Sequence, residues 1–306
     1  MQIVKQVNSI KDMKRYTLLF CIALIAIMSG ACSHSGGRLV DYVNPFVGTD
    51  AHGHTFPGAT APFGMVQLSP DTRVDTWDGC SGYHYSDSVI LGFSHTHLSG
   101  TGCLDYGDVL MMPVTEYNAD TLNRLLYQSE FSHQNEKAAP GYYKVLLDRW
   151  NVLVRLAAGD RCGMHVYDYK SLNGRNPKII IDLEHRDELL DSQIEFDGNN
   201  AVYGFRRSKS WNEDQMLYFY IQFSQPVENF KPFGKNGALV VFSDDLTQII
   251  SKVGISSVSV ENAKANMESE IAPDNFDFSA LLNTTQEKWE KFLSKIDVRG
   301  NGHESK

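Results

Sequence analysis

His95-Thr96-His97 is the tightest pairing of chemistry-bearing side chains in this 306-residue sequence. On a strand, residues two apart share a face, so both imidazoles would reach one ion or ligand. With His84 or an aspartate they would make a zinc site. They would equally serve as hydrogen-bond partners in a sugar pocket, or as a satisfied buried network. Six carboxylates lie nearby: Asp71, Asp75, Asp78, Asp87, Asp105 and Asp108. Glycoside cleavage needs two, one as acid and one as base or nucleophile. Nothing in the spacing selects a pair, and Asp beside Gly is foremost a turn former, so no catalytic residue is assigned. Trp77-Asp78-Gly79 places an indole in a polar loop, where it either stacks on the apolar face of a sugar ring or folds into a core. His52-Gly53-His54-Thr55-Phe56-Pro57-Gly58 has glycines but neither the Lys-Ser/Thr nor the strand–helix frame of a phosphate loop. No Gly-x-Ser-x-Gly elbow occurs, which leaves a serine hydrolase unsupported.

These residues sit in an unusual stretch, 44–108, with five of the ten histidines, ten glycines and seven aspartates. Surface loops of this kind need a scaffold to position them. The scaffold is legible downstream. Val109–Val114, Tyr142–Leu147, Val152–Ala157, Met164–Tyr169, Lys178–Asp182, Ala201–Arg206, Gln215–Phe223, Ala238–Phe242 and Lys252–Val260 are β-branched or aromatic runs bounded by turn residues. Asp197-Gly198-Asn199-Asn200 and Lys235-Asn236-Gly237 read as hairpin turns. The fold class is mainly β, a large antiparallel β-sandwich over 38–260. It is followed by a short helical linker and a polar end over 261–306. Glu261–Ile271 and Phe278–Ile296 are the helices, the second with Asp277 or Ser279 as cap and an apolar stripe of Leu282, Trp289, Leu293 and Ile296.

Residues 1–32 read as an export leader. Lys14-Arg15 precede an apolar run, Tyr16–Met28, and then Ser29-Gly30-Ala31-Cys32. The run is shorter than the roughly 20 residues that span a bilayer. Met13 is an alternative start. Cys32 after Gly-Ala suggests a bacterial lipoprotein with Cys32 lipidated, although Ser29 stands where an aliphatic residue is usual. The expected location is periplasmic or on the outer membrane, with membrane contact only through the lipid. Of the five cysteines, Cys80, Cys103 and Cys162 follow the leader. Export permits a Cys80–Cys103 disulfide, and buried thiols are the equal alternative. The net charge of −9, with no long Lys/Arg run, excludes a nucleic-acid surface, which needs clustered cations.

Several blocks together resemble glycoside hydrolase family 92, the exo-acting α-mannosidases. They are Val43-Asn44-Pro45-Phe46-Val47-Gly48-Thr49, Phe56-Pro57-Gly58-Ala59 with Pro62–Asp71, Gly82-Tyr83, Gly92–Gly102, and Val253-Gly254-Ile255-Ser256 with Val258–Ala263. The resemblance implies an N-terminal β-sandwich, a helical linker and then an (α/α)6 barrel. It further implies calcium dependence, hydrolysis of α-mannosides with inversion, and a general acid and base that both come from the barrel. Trp77 is the best match to a sugar-contacting residue, and Asp78, His95 and His97 join it as expected substrate contacts. The sequence stops at Lys306, where the barrel would begin. The chain is therefore expected to be the sandwich and linker alone, without the catalytic pair or the calcium ligands. It should be inactive by itself, with the faces that would meet the barrel exposed, and in need of a partner chain carrying the barrel. A stand-alone carbohydrate-binding lipoprotein is the rival expectation, and a zinc hydrolase on His95 and His97 the third.

Overall fold

Alternation of buried and exposed side chains sets the architecture. In Tyr142–Leu147 and Gln215–Phe223 every second side chain is buried, the mark of strands with one face on a core. The computed structural model describes residues 37–296; the leader and its Cys32 lie outside the described residues. The strands are β1 (Ala59–Thr60), β2 (Gln67–Asp71), β3 (Val89–Ile90), β4 (Gly92–Ser94), β5 (Leu110–Val114), β6 (Ser129–Glu130), β7 (Lys137–Ala139), β8 (Tyr142–Leu147) and β9 (Val152–Ala158). There follow β10 (Cys162–Tyr169), β11 (Lys178–Asp182), β12 (Glu188–Phe196), β13 (Ala201–Lys209), β14 (Gln215–Phe223), β15 (Asn229–Pro232), β16 (Gly237–Val241) and β17 (Gln248–Ser256). The helices are α1 (Arg124–Tyr127), α2 (Val260–Glu270) and α3 (Phe278–Leu293). None of the described helices is long and apolar enough to cross a membrane.

Two sheets carry the fold. One runs β1-β2-β4-β5-β11-β16-β15 and the other β12-β13-β14-β17-β10-β9-β8-β7, and β3 pairs with β6 apart from both. Neighbours in both sheets are antiparallel. A single core joins the sheets: Phe93, Leu110, Ile180 and Val240 of the first meet Val154, Tyr167, Phe219 and Val253 of the second. This is the predicted antiparallel sandwich. The two hairpin turns fall where expected, between β12 and β13 and between β15 and β16. At the first, Gly198 takes φ +85°, and the Asp197 carboxylate accepts from the N–H groups of Asn199 and Ala201.

The helices cover the outer face of the second sheet. Met267 and Ile271 from the α2 end and Leu281 of α3 pack on Ala157, Cys162 and Met164. Asp277 caps α3, its carboxylate accepting from Ser279 N and Ala280 N. Of the predicted stripe, Leu282, Trp289 and Leu293 are half-buried, and Leu282 packs on this cluster. Leu281 and Thr285 are the buried positions, whereas Ile296 is 76% exposed and Phe292 turns outward, edge-on to exposed Phe63 at 4.9 Å. Thr285 Oγ1 donates to Ala158 O, so a polar residue fills the inward position between Leu282 and Trp289. The ammonium of buried Lys252 on β17 holds the turn between the helices, donating to Ala272 O (3.1 Å) and Pro273 O (2.6 Å). Farther along α3, Trp289 Nε1 donates to Thr60 O on β1, and the Glu290 carboxylate accepts from Leu39 N and Val40 N.

Candidate functional site

Three loops converge on Trp77. The indole starts a single 3-10 turn, Trp77–Gly79, entered through Thr76 at φ 66°. His54 meets it edge-on at 4.1 Å and His52 lies 5.3 Å away. Gly102 packs against its Nε1, where a Cβ would collide. The loops are tied by backbone as well: Gly100 N donates to His54 O at 2.7 Å. Trp77 nevertheless stays 57% exposed, so the indole is fixed from behind and bare in front. Asp78 stands beside it, with His52 Nδ1 on its Oδ1 at 2.6 Å and His54 Nε2 at 3.8 Å. The His52 hydrogen bond holds the Asp78 carboxyl below its ordinary range. A flat apolar surface beside an ionised acceptor suits a polyhydroxylated ring, with C–H groups on one face and hydroxyls at the edge.

His95 and His97 do not share a face, contrary to the strand expectation. The strand β4 ends at Ser94, so the period-2 rule stops one residue early, and His95, Thr96 and His97 enter three separate buried networks. His95 Nδ1 donates to Val109 O at 2.8 Å, which leaves its Nε2 as an acceptor. His165 Nε2 on β10 supplies the proton at 2.9 Å, and Tyr167 O–H donates to His165 Nδ1 at 2.8 Å. The chain of three rings bridges the two sheets. It requires both imidazoles to be neutral, and burial pushes the pKa of His95 down to about 4 and that of His165 well below the ordinary value. Thr96 Oγ1 donates to Asp108 Oδ2, while Asp108 Oδ1 accepts from Arg206. Arg206 also holds Asp187, and all three of these charged residues are buried.

His97 belongs to a cluster around Asp71. Its Nε2 lies 2.9 Å from Asp71 Oδ1 and its Nδ1 2.7 Å from Gln67 O. Ser94 Oγ donates to Asp71 Oδ2, and His185 Nε2 lies 3.1 Å from the same oxygen. Burial alone would raise the Asp71 pKa, but His97 and His185 outweigh it and hold the carboxyl well below its ordinary range. Gly82, at φ +86°, closes over this cluster, and a Cβ there would strike Asp71, Arg186 and His97. Arg186 then ties the cluster to the rim, its Nη2 donating to Gly79 O and Cys80 O at the end of the Trp77 turn.

Of the four expected contacts, Trp77 and Asp78 thus lie together at the surface, and His95 and His97 are buried with protein partners. Three of the other aspartates are engaged too: Asp87 with Arg73, Asp108 with Arg206, and Asp105 with the backbone of Trp211 and Asn212; Asp75 is exposed. No group of three or more His, Cys, Asp or Glu among the described residues is arranged to hold a metal ion, so a zinc centre on His95 and His97 finds no third ligand. Cys80, Cys103 and Cys162 are free thiols; Cys80 donates to Thr101 O, and burial pushes its pKa up. The residues that sequence reasoning missed are His165, His185, Arg186 and Arg206. The available signal was Glu184-His185-Arg186-Asp187, four consecutive ionisable residues shortly after the Ile179–Ile181 run of β11.

Residues 42–256 match the glycosyl hydrolase family 92 N-terminal domain. Among solved structures, a family GH92 α-mannosidase from Bacteroides thetaiotaomicron, solved in complex with mannoimidazole, superposes with a TM-score of 0.77 at 33% identity, covering 86% of this chain and 38% of the other. A family GH92 inverting mannosidase from the same organism shares the fold at 23% identity and a TM-score of 0.74, over 89% of this chain and 38% of that one. An uncharacterized secreted glycosidase of Arthroderma benhamiae is 25% identical over 94% of this chain and 42% of its own length. The chain thus spans about two fifths of these relatives. With the domain match running from the first 3-10 turn to the last strand of the sandwich, the chain belongs to glycosyl hydrolase family 92, of which it carries the N-terminal domain.

Proposed function

We propose that this domain forms one wall of an α-mannosidase site, binding a terminal mannose of a mannose-containing glycan through Trp77 and Asp78. The observation that carries the reading is the half-exposed Trp77 indole, held rigid by His52, His54 and Gly102 beside an ionised carboxylate. The 33% identity to a family α-mannosidase supports the substrate class. In this reading His95 and His97 act from below the rim, His97 through the Asp71–Arg186 cluster that braces the Trp77 turn.

Inverting cleavage needs two carboxyl groups roughly 6.5–9.5 Å apart across the scissile bond, with space for water between them. Asp71, Asp87, Asp105 and Asp108 are committed to local partners, which leaves them poorly placed for that task. In this reading the acid and the base come from the family's barrel. Calcium, where the complete enzyme binds it, takes six to eight oxygen ligands and supplies electrostatic stabilisation at the sugar. In this reading its ligands belong to the barrel side of the complete site. We further infer that the leader exports the chain and that Cys32 carries a lipid anchor; the secreted description of the fungal relative supports export.

The test is turnover of an aryl α-mannoside in the presence of calcium, by the 306-residue chain alone and after addition of a family barrel domain. The chain alone should show none, and the mixture should show turnover that Trp77→Ala abolishes. Robust hydrolysis by the chain alone would overturn the composite-site reading.

A further inference from the structure

Trp211 is 81% exposed at the turn between β13 and β14. Single exposed apolar side chains are ordinary on protein surfaces, but three observations set this one apart. The turn that presents it is fixed: Trp211 N and Asn212 N both lie on the carboxylate of buried Asp105, at 3.4 and 2.9 Å, and Ser210 N donates to Asn212 O. Asp105 lies three residues from Gly102, the residue against which Trp77 packs. Three residues of extended chain span at most about 11 Å, so the Gly102 backbone behind Trp77 and the Asp105 backbone behind Trp211 lie within that reach of each other. Finally, the Trp77 turn and the loop that carries Asp105 share one side chain. Arg186 holds the end of the Trp77 turn through Gly79 O and Cys80 O, and its aliphatic stem fills the space beside Gly107, two residues past Asp105.

We propose that Trp211 is a second aromatic platform of the same rim, stacking on a hexose beyond the one that Trp77 receives. The preferred ligand is then a neutral linear mannooligosaccharide rather than a lone mannose. The inference rests on the reading of Trp77 as a sugar contact. The chemistry of the turn agrees with a neutral ligand: Arg207 is taken up by a two-pronged pair with Asp214 at 2.7 Å. Glu213 leaves the turn slightly acidic, which disfavours uronic or sulfated saccharides. Binding by stacking uses the apolar faces of the rings and needs no cation.

Calorimetric titration of the full chain with mannose and with a linear α-mannotriose tests it, using Trp77→Ala, Trp211→Ala and Trp211→Phe. The unaltered chain should bind the trisaccharide more tightly than mannose. Trp211→Ala should weaken the trisaccharide about tenfold with mannose affinity and thermal midpoint unchanged, and Trp211→Phe should restore most of the loss. Trp77→Ala should remove binding of both sugars. If Trp211→Ala binds the trisaccharide within about twofold of the unaltered chain while Trp77→Ala has lost both sugars, the second platform is wrong and the Trp77 reading stands. If Trp77→Ala leaves mannose binding intact, the Trp77 reading fails and this inference fails with it. Absence of trisaccharide binding by the unaltered chain, or a fall in thermal midpoint with equal loss for both sugars in Trp211→Ala, also overturns it.

Discussion

His95 and His165 meet across the middle of the sandwich, and the hydrogen-bond chain through Tyr167 works only while both rings are neutral. The sign of the resulting pH dependence follows directly. Unfolded histidines take up protons below about 6.5, whereas the folded ones resist, His95 down to about 4. The unfolded state therefore binds more protons in that window, and stability falls as pH falls. Each histidine contributes up to about 1.4 kcal/mol per pH unit there. Urea unfolding at pH 7.5, 6 and 5 should show a falling midpoint, and an equal midpoint at 7.5 and 5 would contradict the network. Arg206 is the second residue to probe. Arg206→Met leaves Asp108 and Asp187 buried without their cation, a loss of about 3–5 kcal/mol that the same unfolding curves would report. Neither network was legible in the sequence. The pairing of His95 with His165 joins residues 70 positions apart, and no local spacing announces it. The polar loop of Trp77 and Asp78 left open whether the indole stacks outward or folds into a core, and only the fold shows it exposed.

At the scale of elements, legibility followed burial geometry. Strands β8, β11 and β14 were read to the residue because their apolar patterns are clean. By contrast β12 was missed: its burial is mostly edge-like, it carries Glu188, Asp191 and Glu195, and its pairing with β13 shifts between Leu189 and Asp191. Charges and a bulge are how an edge strand avoids further pairing, and they also erase the alternation. β2 and β4 hid for the opposite reason, since nearly all of their side chains are buried and they lie among glycines and histidines that read as loop. The helical pair is legible, and its stripe is half-buried from Leu282 to Leu293, but its deepest positions, Leu281 and the polar Thr285, were not, because Thr285 carries no apolar signal. Lys252 is the element-scale fastening. Replacing it by Met removes both hydrogen bonds to the turn at Ala272 and Pro273 and the ammonium above the Phe276 ring at 4.3 Å. In hydrogen exchange, amides of 271–293 should lose protection while β17 keeps its own; unchanged protection of α3 would show that the latch is redundant.

For the whole molecule, the core shared by the two sheets predicts one unfolding event for the sandwich. Phe93 of the first sheet and Phe219 of the second are both fully buried in it. Truncating either to Ala should cost about 3–5 kcal/mol and shift a single transition seen alike by far-UV circular dichroism and tryptophan fluorescence. Separate transitions for the two sheets would refute a shared core. The fold as a whole was legible as a sandwich because turn signals recur between β-rich runs, while the assignment of strands to sheets required the tertiary pairings. A last consequence comes from Glu290, whose carboxylate grips the backbone of Leu39 and Val40. The entry and exit of the folded unit are stapled at one corner. The strand order would therefore tolerate circular permutation: cut at the Gly198–Asn199 turn and resealed by a short bridge across that corner, the polypeptide should fold to the same sandwich.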